Sequence, residues 1–271
     1  MRLDTSKVEF SIKDIKNKIK IPKSMTKELA YLIGVHIGDG TMGLYKNKKD
    51  YQISYTGHLL DEKEFHIGII KPLFKKLFNK ETKISFDLRR NHSSLRTYLR
   101  SKAIFTFFNR SLYLPLGPKT NCDIPSVIKN SNLGIRKAFL RGLADTEFCL
   151  TFKRRYREKH YYPSIKFAIQ SRKLKESVLN LLKELGFTPC SLTNYSNYKK
   201  NTKTFINTID LNGCESINLW FRKIGFNSTK HLTKYNVWKK FCFCPPNTNI
   251  IERRKILKGE ININSYYGPV A

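Results

Sequence analysis

Two segments of the chain share one pattern of apolar and small residues. The first is Leu29-Ala-Tyr-Leu-Ile-Gly-Val-His-Ile-Gly-Asp-Gly40 and the second is Lys137-Ala-Phe-Leu-Arg-Gly-Leu-Ala-Asp-Thr-Glu-Phe148. A shift of 108 residues places Ala30 on Ala138, Gly34 on Gly142, Gly38 on Thr146 and Asp39 on Glu147. Small residues thus recur at every fourth position, on one helix face, and each series ends beside a carboxylate. The elements after each segment repeat as well. Residues 41–47 and 149–157 read as strands, as do 51–57 and 164–170. A helical pattern comes next, Asp61 to Phe78 against Ser171 to Phe187, with Asp61 and Ser171 as N-caps. Two further strands follow in each half, 82–90 with 95–100 and 188–198 with 204–212. Alternation is clearest in Lys83-Ile-Ser-Phe-Asp-Leu-Arg89, where Ile84, Phe86 and Leu88 share one face. An amphipathic helix closes each half, with Phe107-Phe108 opposite Leu219-Trp220.

Each half therefore reads α-β-β-α-β-β-α, and the fold class is α+β: two pseudo-symmetric repeats whose antiparallel sheets form a saddle. Residues 1–24 are an N-terminal extension, 25–113 the first repeat, 114–133 a linker rich in Pro and Gly, and 134–226 the second repeat. Residues 227–271 match nothing in the first half. They carry a basic aromatic helix pattern (Tyr235, Trp238, Phe241), then Pro245-Pro246, a short helix near 249–258 and a mobile tail over the last dozen residues.

Charge changes the picture. Lys plus Arg number 51 against 21 Asp plus Glu, a net charge of +30. Such an excess predicts a polyanionic partner. An apolar fraction of 40% excludes a disordered basic tail. No apolar run reaches the roughly 18 residues of a membrane span, and the start lacks the apolar stretch of a secretory signal. The six cysteines include one CxC pair and no CxxC pair, which disfavours a zinc ribbon or disulfide framework and fits a reducing compartment.

Small residues at four-residue spacing let helix backbones approach closely. Ala30, Gly34 and Gly38 against Ala138, Gly142 and Thr146 predict a tight two-helix seam between the halves. If those helices cross side by side, Asp39 and Glu147 meet near the pseudo-twofold axis. Two adjacent carboxylates need neutralising, by Lys or Arg or by hard divalent cations. Asp145 reads as a structural group, and His36, matched by Ala144, as a core or surface histidine. Outward-facing strand positions supply candidate DNA contacts: Lys83, Ser85 and Arg89, then Arg96 and Tyr98, then Thr151, Lys153 and Arg155, then Lys166 and Gln170. Arg suits guanine and Gln suits adenine in the major groove, although most basic residues near DNA touch phosphate.

The segments Leu32-Ile-Gly-Val-His-Ile-Gly-Asp-Gly40 and Leu140-Arg-Gly-Leu-Ala-Asp-Thr-Glu-Phe148 resemble the paired motifs of LAGLIDADG homing endonucleases. The lead-in Thr26-Lys-Glu-Leu-Ala-Tyr-Leu-Ile-Gly34 and the later Trp238-Lys-Lys-Phe-Cys-Phe-Cys-Pro-Pro246 are similar to archaeal members. The resemblance spans roughly residues 20–226, as a monomer with two motifs. It implies double-strand DNA cleavage at a long, nearly unique site, Mg²⁺ or Mn²⁺ as cofactor, and a role in intron mobility. It carries Asp39 and Glu147 over as metal-binding and catalytic carboxylates. It also implies basic residues around the scissile phosphate. Repeat alignment offers His58 and Arg172 at equivalent strand exits, with Arg100 or Lys102 after the fourth strand. The second motif departs from the family in carrying Phe148 where Gly is usual.

The competing reading is an intron-RNA maturase or a DNA-binding regulator of the same fold without cleavage. A generic RNA-binding module would leave the Asp39 and Glu147 repeat unexplained. Met1 at the start and no terminal His-Asn disfavour a self-splicing intein. The expected setting is the cytoplasm of a prokaryote, archaeal in type, at the nucleoid, or an organelle, with duplex DNA and intron RNA as partners and no membrane.

Overall fold

The computed structural model describes residues 1–45, 50–88, 93–199 and 202–267. A short helix α1 (Ile12–Lys16) precedes α2 (Lys27–Asp39). Strands β1 (Gly40–Tyr45) and β2 (Asp50–His58) follow, then α3 (Leu59–Phe65) and α4 (Lys71–Phe78), joined by a π-helical turn at His66–Ile70. Strands β3 (Lys83–Asp87) and β4 (Ser94–Arg100) lead to α5 (Lys102–Thr106), which ends in a second π turn at Phe107–Ser111. The connection holds α6 (Ser126–Lys129). The second half repeats the order: α7 (Leu133–Glu147), β5 (Phe148–Lys153), β6 (Tyr162–Ile169), α8 (Arg172–Glu184), β7 (Cys190–Lys199), β8 (Thr202–Asn212) and α9 (Cys214–Lys223). Helices α10 (Thr229–Phe241) and α11 (Ile250–Lys258) and a 3₁₀ turn (Ile263–Tyr267) complete the chain.

Both sheets are four-stranded and antiparallel, ordered β1-β2-β4-β3 and β5-β6-β8-β7. The expected pair of αββαββα repeats is therefore present. In each sheet one face covers the core. Leu95, Thr97 and Leu99 are buried on β4 while Arg96 and Arg100 are exposed; Phe148, Leu150 and Phe152 are buried on β5 while Cys149, Thr151 and Lys153 are exposed. The period of two follows from the pleat.

Helices α2 and α7 run through the centre. The Thr26 hydroxyl caps α2 by accepting from Leu29 N, and Asn132 caps α7 by accepting from Ile135 N. Residues Leu29 to Gly38 are all buried, so α2 has no solvent face. The backbones touch through the small residues. A Cβ at Gly34 would overlap the Phe139 carbonyl oxygen, one at Gly142 the Tyr31 carbonyl oxygen, and one at Gly38 the Thr146 hydroxyl.

Local details differ from expectation, each for a visible reason. His58, not Asp61, caps the helix after β2, because the Asp61 carboxylate is turned onto α11, where it accepts from Ile250 N and the Arg253 guanidinium. Strand β5 stops at Lys153, and Arg155 adopts a left-handed φ of 53° in the turn beyond. The connection after 113 is packed rather than loose, with Leu114, Ile124 and Ile128 in the core. The C-terminal segment is anchored through Tyr267, since Ile263 is buried and the Tyr267 hydroxyl accepts from His160 N. All six cysteines are free thiols. No helix of the described residues is long and apolar enough to cross a membrane.

Gly142→Ala is expected to cost about 3 kcal/mol or more, at or beyond the usual range for overpacking, because the helices must separate. Gly68→Ala in the first π turn meets nothing within 4 Å. It should be neutral or gain about 0.4–1 kcal/mol through the unfolded chain. Denaturant midpoints of the two variants check the pair; equal midpoints would contradict the close helix approach.

Candidate active site and nucleic-acid face

Asp39 and Glu147 are the last residues of α2 and α7, so the helix crossing brings both to one place. A Cβ at Gly38 would lie 3.1 Å from Glu147 Cγ, which puts the Glu147 side chain against α2. Burial, with the neighbouring Glu62 and Glu147 carboxylates, pushes Asp39 up to about 7. Burial also raises Glu147, while Lys119 and Lys230 pull it back down.

The exits of the two helices solve one steric problem in opposite ways. A side chain at Gly40 would collide with the His36 ring. In the second half Ala144 stands where His36 does, and Phe148 fills the space, stacked on Phe167 at 4.7 Å. Backbone φ is negative at both exits, −74° at Gly40 and −89° at Phe148. A glycine is thus needed for room at the first exit and is not needed at the second.

Two lysines flank the carboxylates. Lys119 Nζ donates to the carbonyl oxygens of His36, Ile37 and Gly38 at 2.9, 2.9 and 2.5 Å, at the negative end of α2. Lys230 Nζ donates to Glu62 at 2.6 Å, and Glu62 also accepts from His58 N at 2.6 Å. Lys119, Lys230 and Glu62 were not among the residues expected from the sequence. Lys119 lay hidden in a Pro- and Gly-rich connection and Lys230 in the segment without a repeat partner. Their separation of 111 residues, close to the repeat shift, was the available signal.

Asp145 is buried as a structural bolt. It accepts from Tyr31 Oη at 2.5 Å and from the backbone N–H of Asn227 and Ser228, both at 2.9 Å. Burial raises it to about 6 in spite of these donors. The bolt fixes the turn that opens α10, two residues before Lys230. His36 is also buried. Its Nδ1 lies 3.0 Å from the Tyr55 hydroxyl, and burial, with Lys119 nearby, lowers it to about 3.

The other expected site residues are dispersed. His58 caps α3 through Nδ1, and Arg172 is exposed at the start of α8. Arg100 pairs with Asp50 at 3.0 Å and Lys102 with Glu9 at 2.6 Å. The register sets Gly40 opposite Tyr55 but Arg100 opposite Gln52. Three residue steps, about 10 Å of strand, therefore carry Arg100 and Lys102 away from Asp39.

The outer faces are continuous across the strands. On the first sheet Lys83 and Ser85 stand beside Tyr98 and Arg96, and the Arg96 guanidinium donates to Ser54 Oγ at 3.0 Å. On the second, Thr151 and Lys153 share the face with Lys166. Gln170 lies just past β6 and lines a cavity with Glu147 and Lys119. Arg155 stacks on Tyr162 in the turn after β5. Arg89 lies outside the described residues.

Among the described residues no group of three or more His, Cys, Asp or Glu side chains is arranged to hold a metal ion. Two carboxylates in a basic surround fit a Mg²⁺-type site, in which water and phosphate complete the ligands. The charge repulsion at Asp39 is what such an ion would relieve.

Comparison with known proteins places this arrangement. The family profile of a LAGLIDADG-like domain matches residues 134–231. The chain is similar to the structure of I-DmoI in complex with DNA and Mn, with a TM-score of 0.50 and 19% identity over 74% of this chain and 98% of that one. It is also similar to the LAGLIDADG homing endonuclease I-GzeII in complex with its DNA target, with a TM-score of 0.50 and 16% identity over 90% and 95%. No curated protein matches the chain. Residues 134–231 are a LAGLIDADG-like domain, and the two-repeat chain has the fold of the LAGLIDADG homing endonucleases.

A carboxyl held near 7 in the folded chain, against an ordinary value of 3.8, costs stability once ionised. That cost is full above about 7, fades as pH falls through 7, and is gone below the ordinary value. In metal-free buffer, Asp39→Asn should therefore melt several degrees above the unsubstituted chain at pH 8, about 2–4 °C per kcal/mol relieved. The gap should close by pH 4. A gap independent of pH would contradict the buried, repelled carboxylate.

Proposed function

We propose that this chain is a site-specific homing endonuclease. It cuts both strands of duplex DNA at a long, nearly unique site by metal-dependent hydrolysis, and so promotes intron mobility. The observation that carries this reading is the meeting of Asp39 and Glu147 at the exits of two touching helices, between Lys119 and Lys230, beneath two basic sheet faces. The DNA complexes of I-DmoI and I-GzeII, which share the fold, support it.

Asp39 and Glu147 would hold the divalent cation, Mg²⁺ or Mn²⁺, through hard carboxylate oxygens. When bound, that ion supplies charge stabilisation at the phosphate and a more acidic water. Lys119 and Lys230 place fixed positive charge where negative charge builds on phosphorus-bound oxygen. The outer strand residues hold the duplex so that one strand passes each carboxylate, as a monomer with internal pseudo-symmetry allows. Water attacks phosphorus in line, and no covalent enzyme intermediate forms. Such a protein works where the DNA is, at the nucleoid of a prokaryote or in an organelle.

A plasmid library of random sites, incubated with Mg²⁺ or with EDTA and then end-sequenced, tests the reading. Discrete Mg²⁺-dependent double-strand breaks at one long motif are expected. Asp39→Asn or Glu147→Gln should abolish the breaks and leave DNA affinity within a few fold. Full turnover by the double variant would sink the mechanism. Salt-sensitive binding without any cleavage by the unsubstituted chain would instead favour a maturase or regulator of this fold.

Neutralisation of many phosphates also predicts a steep salt response. An interface with 6–10 phosphate contacts should lose about 10³–10⁵ in affinity between 50 and 200 mM salt. Filter-binding titrations check this, and a flat response would contradict the role assigned to the charge.

A further inference from the structure

The repeat register permits a position-by-position comparison of the two outer faces. Gly40 pairs with Tyr55, and Phe148, its equivalent after the second carboxylate, pairs with Phe167. The next residue along β2 is Thr56, opposite Arg96, which pairs with Ser85. The next residue along β6 is Ala168, opposite Thr208, which pairs with Leu192. The cross-strand row nearest the carboxylates is therefore Thr56–Arg96–Ser85 on one side and Ala168–Thr208–Leu192 on the other.

These rows differ in chemistry. The first centres on a guanidinium that Ser54 Oγ holds along the face. The second carries no charge, and its middle residue, Thr208, is buried, which leaves Ala168 and Leu192 to face outward. Leu192 is 58% exposed and Ala168 is exposed on a surface that otherwise carries polar groups. Ala168 and Ile206 form an apolar wall of the cavity that also holds Glu147, Gln170 and Lys119. A register shift between Leu192 and Tyr195 bends the edge strand beside this row. An exposed leucine on a strand face beside the cleavage centre calls for an apolar feature of the partner. In the major groove only thymine offers one, its 5-methyl group, whereas arginine selects the acceptor edge of guanine.

We infer that the two halves read different base pairs beside the cleavage centre: guanine under Arg96 of the first sheet, and thymine methyl groups under Ala168 and Leu192 of the second. This rests on the DNA reading above and specifies the class of target. The target is then asymmetric in composition at its centre, although the scaffold is pseudo-symmetric.

Selection of random duplexes by the unsubstituted chain in Ca²⁺ tests it. Enriched sites should show G on one side of the centre and T on the other. Replacing thymine by uracil on the T side should weaken binding about fourfold per methyl group lost, and the same replacement on the G side should change nothing. Leu192→Arg should turn T to G at one position on its own side, and Arg96→Leu should remove the G preference on the other. The uracil arm uses the unaltered protein, so it decides the matter even where a variant fails to fold. Enrichment with no compositional difference between the halves, or an equal uracil effect on both, overturns the inference and leaves the DNA reading standing. No enrichment of any sequence overturns both.

Discussion

The backbones of α2 and α7 touch at Gly34 and Gly142, and the Thr146 side chain fills the space beside Gly38, so that no Cβ fits at any of the three. Glycine inside a helix costs about 1 kcal/mol relative to alanine. Here the return is a crossing tight enough to deliver the C-termini of both helices to one point. Each sheet begins at the residue after its helix, so the same contact fixes the start of β1 and β5 and hence the register of both outer faces. The carboxylates and the strand surfaces are placed from this seam.

The seam alone would leave two acids in conflict. The rest of the chain answers with pieces from outside the repeats. Lys119 comes from the connection between them, and Lys230 from the helix beyond the second. Helices α10 and α11 are held back onto the first repeat by one short helix: Asp61 binds Arg253, Glu62 binds Lys230 and Glu64 binds Arg254. Asp145 secures the other end of that connection at Asn227 and Ser228. The C-terminal segment is thus part of the site's architecture. The two halves of the site are inequivalent because only one has Glu62 holding its lysine.

Most of the fold could be read from the sequence because its determinants are local and duplicated. The four-residue spacing of small residues and the order of strands and helices that follows it each appeared twice, and each repeat checked the other. That Asp39 and Glu147 meet was legible for the same reason. Lys119, Lys230 and Glu62 were not, because their roles arise from tertiary contacts between segments far apart in the chain. Arg100 and Lys102 illustrate the reverse error. They follow the fourth strand as a catalytic residue would, but pairing register sends that end of β4 away from Asp39 and onto Asp50 and Glu9. Phe148 looked like a departure from the family. It fits because Ala144 leaves free the room that His36 takes up beside Gly40.

Several acids of this basic chain hold its junctions. Asp14, nearly fully buried, accepts from Ser11, Ser101 and Ala103 N, and ties the N-terminal extension to the first repeat. Asp145, Asp61, Glu62 and Glu64 join the C-terminal segment to the repeats, and Glu184 binds Arg136 across the second. A buried or part-buried carboxylate with several donors holds a junction more specifically than apolar contact does, because each donor fixes a direction. It also removes negative charge from the surface. What remains outside is dominated by Lys and Arg. The pair at the helix crossing differs from these junction acids, since Asp39 meets the Glu147 and Glu62 carboxylates, and a polyanion drawn in by the surrounding charge would meet repulsion there. A divalent cation held by the two carboxylates would relieve that repulsion.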